Sequence, residues 1–360
     1  MHVCFVIGAM NFSGAEKVLS LVAEGIKNNG HDVSVVLVEK NYGEKEIQNG
    51  ISTYGAKSTG GRISRILTRW KHIRSVIKEI KPDIVVSFGS VCNVNTVPAL
   101  VGLPYPIVLC ERNDPVFDPR KKGERAVRWL LYHFADGYVF QTDKIRDYFG
   151  KICKNKNVAV IPNPIVDSGM RWDINNSEKR IVTVARLDNY QKDQITMFEA
   201  FAIFHNLHPE YTLEVFGSGP DEGKYREYLS DRGWSDFICL KGKTNDPISE
   251  IRTASMFFLT SKYEGMPNAL MEALSIGIPC ISTNCGGGGA EYLMALCGYP
   301  VKPTPVGNAE RIAKELDDVI GNTDLLIRMS EAGLKINAFL EKGKIVKQWI
   351  DYLEKVVNKR

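Results

Sequence analysis

The sequence predicts an α/β architecture with two doubly wound parallel sheets, and three observations support it. Strand-sized apolar runs alternate with amphipathic stretches along the whole chain, which is typical of β-α units whose sheet is covered on both faces. The length of 360 residues exceeds that of one usual hydrophobic core, so two domains are expected. Apolar residues at 44% and charged residues at 24% indicate an ordinary globular protein and exclude a disordered one.

Short apolar runs give the predicted strands of both halves. Those of the first half read HVCFVIG, DVSVVLV, DIVVSF, PIVLC, GYVFQ and VAVIP, and those of the second read RIVTVA, TLEVFG, FICLKG, MFFLTS and PCISTN. A boundary is expected just after IPNPIV, Ile161 to Val166, where Pro and Asn end a strand. The predicted domains therefore span residues 1–166 and 167–344. A last helix, at about 339–359, carries apolar residues at near-helical spacing and could pack on either domain.

Several protein classes can be set aside from the sequence. The longest apolar runs, such as Val3 to Met10, fall short of the roughly 20 residues that a membrane span needs. The N-terminus has no basic leader and is interpreted as a buried strand, so a cytoplasmic location is expected. The eight cysteines form no C-x-x-C pair and are expected to be packed thiols, not zinc ligands or disulfides.

Positive charge is concentrated in the first half of the chain. Residues 1–164 carry a net charge of +8 and the remainder −4. The stretch 61–81 predicts a helix with an apolar stripe packed on the sheet and a basic face, and a second cluster follows at 119–134. We expect these faces to meet an anionic membrane surface or acceptor phosphates, although a merely solvated basic face is the alternative. Nucleic acid is not expected, because the aromatic residues follow the apolar stripe and form no exposed stacking row. The stripe and the cations of the first helix, then the basic and apolar residues of the second cluster, are Ile63, Ile66, Leu67, Trp70, Ile73, Ile77, Ile80; Arg62, Arg65, Arg69, Lys71, Arg74, Lys78, Lys81; Arg120, Lys121, Lys122, Arg125, Arg128; Trp129, Leu130, Leu131.

The turn after the strand MFFLTS carries two carboxylates. The strand is predicted to end at Ser261, Glu264 and Gly265 form the turn, and Pro267 is suited to open a helix. Amides near Gly265 and Met266 would then face a phosphate, while Glu272 lies about a turn and a half inside the helix. Carboxylates accept hydrogen bonds from vicinal hydroxyls, so a sugar and a ribose are plausible partners, against two solvated helix-end glutamates.

Other strand-to-helix turns carry cations and glycines. Arg186 and Lys192 follow the strand RIVTVA and could clamp a diphosphate without a metal ion. The G-x-G-P turn at Gly217 to Pro220 and the run Gly286 to Gly289 allow close backbone approach to a ligand, and Gly14 begins a helix. The chain contains neither a GxGxxG fingerprint nor a GxxxxGK[ST] loop.

In this order the motifs resemble those of the retaining glycosyltransferases of family 4, and the resemblance spans nearly the whole chain. It implies the GT-B fold, in which two Rossmann-like, doubly wound parallel-sheet domains face each other across a cleft. The implied activity is that of a metal-independent hexosyltransferase, which moves a sugar from a nucleotide-sugar, a UDP-sugar by expectation, to a hydroxyl of a lipid-linked or cell-surface glycan. The same resemblance implies an acceptor linked to a polyprenyl diphosphate. It also implies that no cofactor is needed and that the protein lies peripherally at the inner face of the cell membrane.

The resemblance also implies roles for individual residues. Glu264 and Glu272 match the E-x7-E pair, whose first acid contacts the donor sugar and whose second contacts the ribose. Arg186 and Lys192 match the diphosphate-binding pair. The remaining donor-binding positions implied are Gly14, Gly217, Gly219, Gly265, Met266, Pro267 and Asn268. The last helix, at about 345–360, would cross back to pack on the first domain.

The chain departs from the family pattern in three places. Ser13 replaces the first glycine of the N-terminal loop, and one extra residue separates Arg186 from Lys192. In LCERNDP the chain has Glu111 to Asp114 where many members have a histidine, so Arg112 or Asn113 is expected to replace that contact. Two alternatives stay open at this point: a sugar-nucleotide epimerase of twin-Rossmann architecture, and a non-catalytic nucleotide-sugar-binding subunit.

Overall fold

The computed structural model describes residues 1–10, 14–39, 50–55 and 61–359. Ser13, at which the loop departs from the family pattern, lies outside these ranges. The chain divides into two compact units, which are described separately. Unit 1 comprises Met1–Pro164 and Lys342–Arg360, and unit 2 comprises Ile165–Glu341.

Unit 1 contains a seven-stranded parallel sheet with the strand order β3-β2-β1-β4-β5-β6-β7. Its interior strand β1 is almost entirely buried, because helices cover both faces of a parallel sheet. Six strands match the predicted apolar runs. The seventh, β3, was not predicted, since it is short, half-buried and lies at the sheet edge. The strands are β1 (His2–Ile7), β2 (Asp32–Leu37), β3 (Ser52–Gly55), β4 (Ile84–Phe88), β5 (Ile107–Cys110), β6 (Gly137–Phe140) and β7 (Asn157–Val160).

Helices follow most of the strands of unit 1, and the last helix comes from the C-terminal part of the chain. They are α1 (Gly14–Asn28), α2 (Arg62–Ile80), α3 (Ser90–Leu100), α4 (Lys122–Tyr132), α5 (Asp143–Tyr148), α6 (Gly150–Cys153) and α16 (Lys342–Asn358). Trp349 of α16 is fully buried, with its ring 6.4 Å from that of Phe5 and 6.3 Å from that of Phe88. Helix α16 also packs on α1, where Val346 lies directly against Gly25. The sequence predicted this helix from about residue 339, three residues before it begins.

Unit 2 contains a five-stranded parallel sheet with the strand order β10-β9-β8-β11-β12. All five strands match predicted apolar runs, so the predicted α/β architecture with two parallel sheets is confirmed. The strands are β8 (Glu178–Val184), β9 (Thr212–Phe216), β10 (Ile238–Gly242), β11 (Ala254–Leu259) and β12 (Cys280–Ser282). The helices are α7 (Asn189–Lys192), α8 (Gln194–His205), α9 (Glu222–Asp231), α10 (Pro247–Ile251), α11 (Asn268–Ile276), α12 (Gly289–Leu296), α13 (Ala309–Ile320), α14 (Thr323–Leu334) and α15 (Ile336–Phe339), with a 3₁₀ turn at Ile174–Asn176.

The strand order of unit 2 brings four turns together at the carboxyl ends of its strands. Strands β9, β8, β11 and β12 are neighbours and run parallel, so their carboxyl ends lie side by side. The turns that leave these ends are at 185–188, 217–221, 260–267 and 283–288. They contain Arg186, Glu264, the glycines of the G-x-G-P turn and Gly286 to Gly288, and Lys192 follows the first turn at the end of α7. Open parallel sheets bind their ligands at this edge.

The predicted basic faces of unit 1 need two corrections. The apolar stripe of α2 does not pack along its full length, because Ile63 is 75% exposed and Leu67 is 48% exposed, whereas Ile73 and Ile77 are buried. Arg128 of α4 does not belong to a free basic face. Its guanidinium is buried and interacts with a carboxylate and two backbone carbonyls.

Candidate active site

Lys192 and Glu264 form an ion pair at the carboxyl edge of the unit 2 sheet. The Lys192 ammonium donates to Glu264 Oε1, and both side chains are largely buried, at 17% and 9% exposure. Ser261 Oγ donates to the same carboxylate oxygen at 2.7 Å, and Gln191 Nε2 lies 3.4 Å from the other one. The turns after β8 and β11 are thereby joined through one carboxylate.

Backbone contacts fix the position of Lys192. It ends the four-residue helix α7, which Asp188 caps by accepting from the Tyr190 amide. The next residue, Asp193, has a left-handed backbone with φ 52°, which redirects the chain into α8. Thr260 Oγ1 donates to the Lys192 carbonyl at 3.0 Å, so the end of β11 holds the end of α7.

The turn that carries Glu264 is held by the glycine run after β12. The Glu264 amide donates to the Gly286 carbonyl at 3.3 Å. A Cβ added to Gly289 would lie 2.1 Å from the Gly265 carbonyl oxygen and 2.9 Å from Met266 Cα. Only glycine allows two backbones to approach this closely. Gly289 therefore determines where Gly265, Met266 and Pro267 can lie before α11 begins.

The G-x-G-P turn after β9 packs in the same way against the turn that carries Arg186. A Cβ at Gly217 would lie 1.9 Å from the Ala185 carbonyl oxygen, and one at Gly219 would lie 2.2 Å from that of Leu187. The two glycines thus contact the residues on either side of Arg186. The Arg186 side chain is exposed, and its carbonyl accepts from Gln194 Nε2 at 2.7 Å.

The remaining predicted donor-binding residues of unit 2 are placed around α11. Pro267 is the capping residue of the helix and Asn268 its first residue, so the helix opens one residue later than the sequence suggested. Glu272 lies on the second turn of α11 and is half-buried. The structure thus brings Lys192 into direct contact with Glu264. Glu272 lies in α11, the helix that follows the turn carrying Glu264.

The other predicted site residues, Gly14, Arg112 and Asn113, belong to unit 1. Gly14 is the first residue of α1. Arg112 follows β5, where its guanidinium lies 4.4 Å from the centre of the Phe88 ring and donates to Asn163 Oδ1. Burial lowers the pKa of Arg112 to about 10. Asn113 Oδ1 accepts from the Asp114 amide at 2.9 Å, so this side chain shapes its own turn.

A buried polar network beside Arg112 was not predicted from the sequence. Glu111, Tyr132 and Arg128 are fully buried, and the Tyr132 hydroxyl donates to Glu111 Oε1. Arg128 lies 3.9 Å from the same oxygen and donates to the carbonyls of Pro115 and Asp118, which fixes the loop after Arg112. Burial raises the pKa of Glu111 to about 7, against the opposing effect of the Arg128 charge.

The described ranges contain neither a metal-binding cluster nor a membrane-spanning helix. No group of three or more His, Cys, Asp or Glu side chains there is arranged to hold a metal ion. Likewise, no helix within residues 1–10, 14–39, 50–55 and 61–359 combines the length and hydropathy that crossing a bilayer requires.

Comparison with known proteins defines the class. Residues 12–168 match the family model described as Glycosyltransferase Family 4, and residues 170–336 match the one described as Glycosyl transferases group 1. The solved structure of Anabaena HepE in complex with UDP-glucose is similar in fold, with a TM-score of 0.81 at 15% identity, over 99% of this chain and 100% of that one. The two parallel-sheet units are those of a GT-B glycosyltransferase.

Curated relatives agree over most of the chain. An uncharacterized glycosyltransferase of Haemophilus influenzae is 22% identical over 96% of this chain and 97% of its own length. A Campylobacter jejuni α-1,4-N-acetyl-D-galactosaminyltransferase named for a diNAcBac-PP-undecaprenol acceptor is 22% identical over 81% and 82%. The chain belongs to the family 4 type of GT-B glycosyltransferases. Neither the family matches nor these relatives support an epimerase or a non-catalytic subunit.

Proposed function

We propose that this glycosyltransferase moves a sugar from a UDP-sugar to a hydroxyl of a lipid-linked or cell-surface glycan. The proposal includes retention of the anomeric configuration and independence from metal ions, both of which rest on the family 4 resemblance. In it, Arg186 and Lys192 hold the diphosphate, Glu264 accepts hydrogen bonds from the sugar, and Glu272 accepts them from the ribose. Arg112 and Asn113 of unit 1 remain the proposed replacements for the histidine of the family pattern.

The observation that carries the proposal is the arrangement around Lys192. One cation, Lys192, lies on the Glu264 carboxylate, and a second, Arg186, lies exposed in a turn whose neighbouring residues pack against Gly217 and Gly219. Fixed cations stabilise the charge that develops on a departing diphosphate without reorganisation during the reaction. The carboxylate beside Lys192 can orient sugar hydroxyls. Leaving-group stabilisation and sugar orientation are the two requirements of glycosyl transfer.

Relatives and structural neighbours support the choice of donor and acceptor. HepE was solved with UDP-glucose, and the Campylobacter jejuni relative is named for an acceptor that carries a PP-undecaprenol group. A further relative, from Escherichia coli, is named as a UDP-Gal:α-D-GlcNAc-diphosphoundecaprenol α-1,3-galactosyltransferase. These descriptions favour UDP-sugars and polyprenyl-diphosphate-linked glycans as the first substrates to test.

A donor panel followed by a transfer assay tests the proposal. Ligand binding to the native state raises its melting temperature, so a screen of UDP-, GDP- and ADP-sugars should single out UDP-sugars. Transfer to an undecaprenyl-diphosphate-linked disaccharide should then persist in EDTA, and NMR of the product should show the donor's anomeric configuration. Lys192→Met should lower kcat/KM by about 10²-fold, whereas Lys179→Met, which removes an exposed lysine of unit 2, should not. Selective stabilisation by another nucleotide class would contradict the choice of UDP.

The outer surface of unit 1 supports a membrane-associated acceptor. Val127, Leu130 and Phe134, on and just after α4, are 52%, 64% and 63% exposed; we call them the α4 apolar face. Exposed lysines at 121 and 122 begin the same helix. The α4 apolar face and these lysines match the chemistry of an anionic bilayer surface, where apolar side chains enter the interface and cations contact the headgroups. We therefore include in the proposal a peripheral location at the inner face of the cell membrane.

Vesicle co-sedimentation tests this part separately. The wild-type protein should bind vesicles with phosphatidylglycerol more strongly than those of phosphatidylcholine, and binding should weaken with salt. Leu130→Glu with Phe134→Glu should abolish it and leave transfer to a detergent-soluble acceptor intact. Leu207→Glu is a matched control, because Leu207 is equally exposed but lies in unit 2. If the double variant binds these vesicles as strongly as the wild type does, the proposed membrane location is wrong, and the proposed transferase activity is unaffected.

A further inference from the structure

The two side chains that the proposed function assigns to different parts of the donor bind each other in this structure. Lys192 would hold the diphosphate and Glu264 the sugar, yet the Lys192 ammonium donates to Glu264 Oε1. A diphosphate that draws the lysine onto itself takes it from the carboxylate. The carboxylate then keeps its charge and loses its cation.

Ser261 gives the carboxylate a second anchor that does not leave. The serine is fully buried in the turn two residues after β11, and its carbonyl accepts from Thr283 Oγ1 at 2.7 Å. Its hydroxyl donates to Glu264 Oε1 at 2.7 Å, and Gln191 Nε2 lies near Oε2. With the lysine withdrawn, Glu264 would still be held in place but would lack one donor. A partly buried carboxylate in that state is destabilised.

We infer that Glu264 competes with the donor diphosphate for Lys192, and that the donor sugar relieves this competition by giving hydroxyl donors to the freed carboxylate. Ser261 is a positioning residue that keeps Glu264 aimed at the sugar during the exchange. The site thereby discriminates a sugar-bearing nucleoside diphosphate from a bare one. This inference rests on the proposed function and deepens it.

The contacts around Glu264 predict that a UDP-sugar binds more tightly than bare UDP. Bare UDP removes the lysine from Glu264 and returns no donor to it, so its binding carries the cost of breaking the pair. A UDP-sugar breaks the same pair and replaces the lost donor with hydroxyls. Diphosphate and sugar binding are consequently coupled, and such couplings commonly amount to about 5–150-fold in affinity. The same coupling favours release of UDP once its sugar has been transferred.

Isothermal titration with UDP, and with the UDP-sugar that the donor panel selects, tests the inference. Glu264→Gln should bind UDP about 5–10-fold more tightly than wild type, because the competing charge is gone. The preference for the UDP-sugar over UDP should fall at least about tenfold. Glu210→Gln is the matched control, since it removes the carboxylate of the exposed Lys179–Glu210 pair of the same unit and should change neither value.

The Ser261→Ala variant distinguishes a role in positioning Glu264 from a general structural defect of the site. It should weaken UDP-sugar binding severalfold and leave UDP affinity within about twofold, whereas a merely structural defect would weaken both. UDP binding that Glu264→Gln leaves unchanged or weakens would overturn this inference alone, provided that its melting temperature is normal. If wild type binds neither UDP nor any UDP-sugar, the proposed function fails, and the inference fails with it.

Discussion

The turn that carries Arg186 should not tolerate a methyl group at Gly219. A Cβ there would lie 2.2 Å from the Leu187 carbonyl oxygen and 2.6 Å from its carbon, and real Cβ atoms essentially never come within 3.0 Å. The two backbones of Gly219→Ala must therefore separate by about 0.8 Å in a close-packed region. We expect a cost of about 2 kcal/mol, which in a unit of this size lowers the melting temperature by roughly 4–8 °C.

The same displacement should impair the reaction. Leu187 directly follows Arg186, so moving its carbonyl moves the guanidinium, and a misplacement of about 1 Å can cost about 10²-fold in rate. The measurements are a melting curve and kcat/KM for sugar transfer. Gly223→Ala is the control, because a Cβ there meets nothing within 4 Å; it should keep wild-type activity. Wild-type stability and activity of Gly219→Ala would refute the close-packing argument.

Other contacts give three further outcomes. Gly289→Ala should lower both stability and transfer activity, because its Cβ would meet the Gly265 carbonyl oxygen at 2.1 Å; normal values in the two assays would contradict this. Arg128→Met should cost about 3–5 kcal/mol in urea unfolding, because it leaves Glu111 buried without its cation, and Glu111→Gln in the same chain should recover part of that loss. The pKa of Glu111 is raised to about 7, so the folded state binds its proton more tightly than the unfolded state does. The contribution of Glu111 to the free energy of unfolding is fully present below about pH 4.5, its ordinary pKa, and is lost as the pH rises towards 7. Glu111→Gln should abolish this part of the pH dependence of stability, and identical stability–pH curves for the variant and the wild type would contradict the assignment.

The strands could be predicted because fully buried parallel strands appear in sequence as continuous apolar runs. The strand β3 could not, since STYG is polar, short and half-buried at an edge. The sequence identified the basic cluster that contains Arg128, but it could not show that the carboxylate of Glu111, just after a distant strand, lies opposite this arginine. A long-range buried ion pair leaves no local pattern.

The candidate site shows the same limit. Order and spacing of the motifs located Arg186, Lys192 and Glu264, but the extra residue before Lys192 left its direction undefined. The short helix α7 and the left-handed Asp193 decide that direction, and they place the lysine on Glu264. Ser261 carried no signal, because a serine at the end of a strand is common. Its role appears only where its hydroxyl meets the carboxylate.

A crystal structure of the protein with UDP bound tests the central claim most directly. We predict that the diphosphate lies at the carboxyl edge of the unit 2 sheet, within hydrogen-bond distance of both Arg186 and Lys192, with Lys192 withdrawn from Glu264. A diphosphate bound elsewhere, with the Lys192–Glu264 pair intact, would contradict the assignment of the donor site.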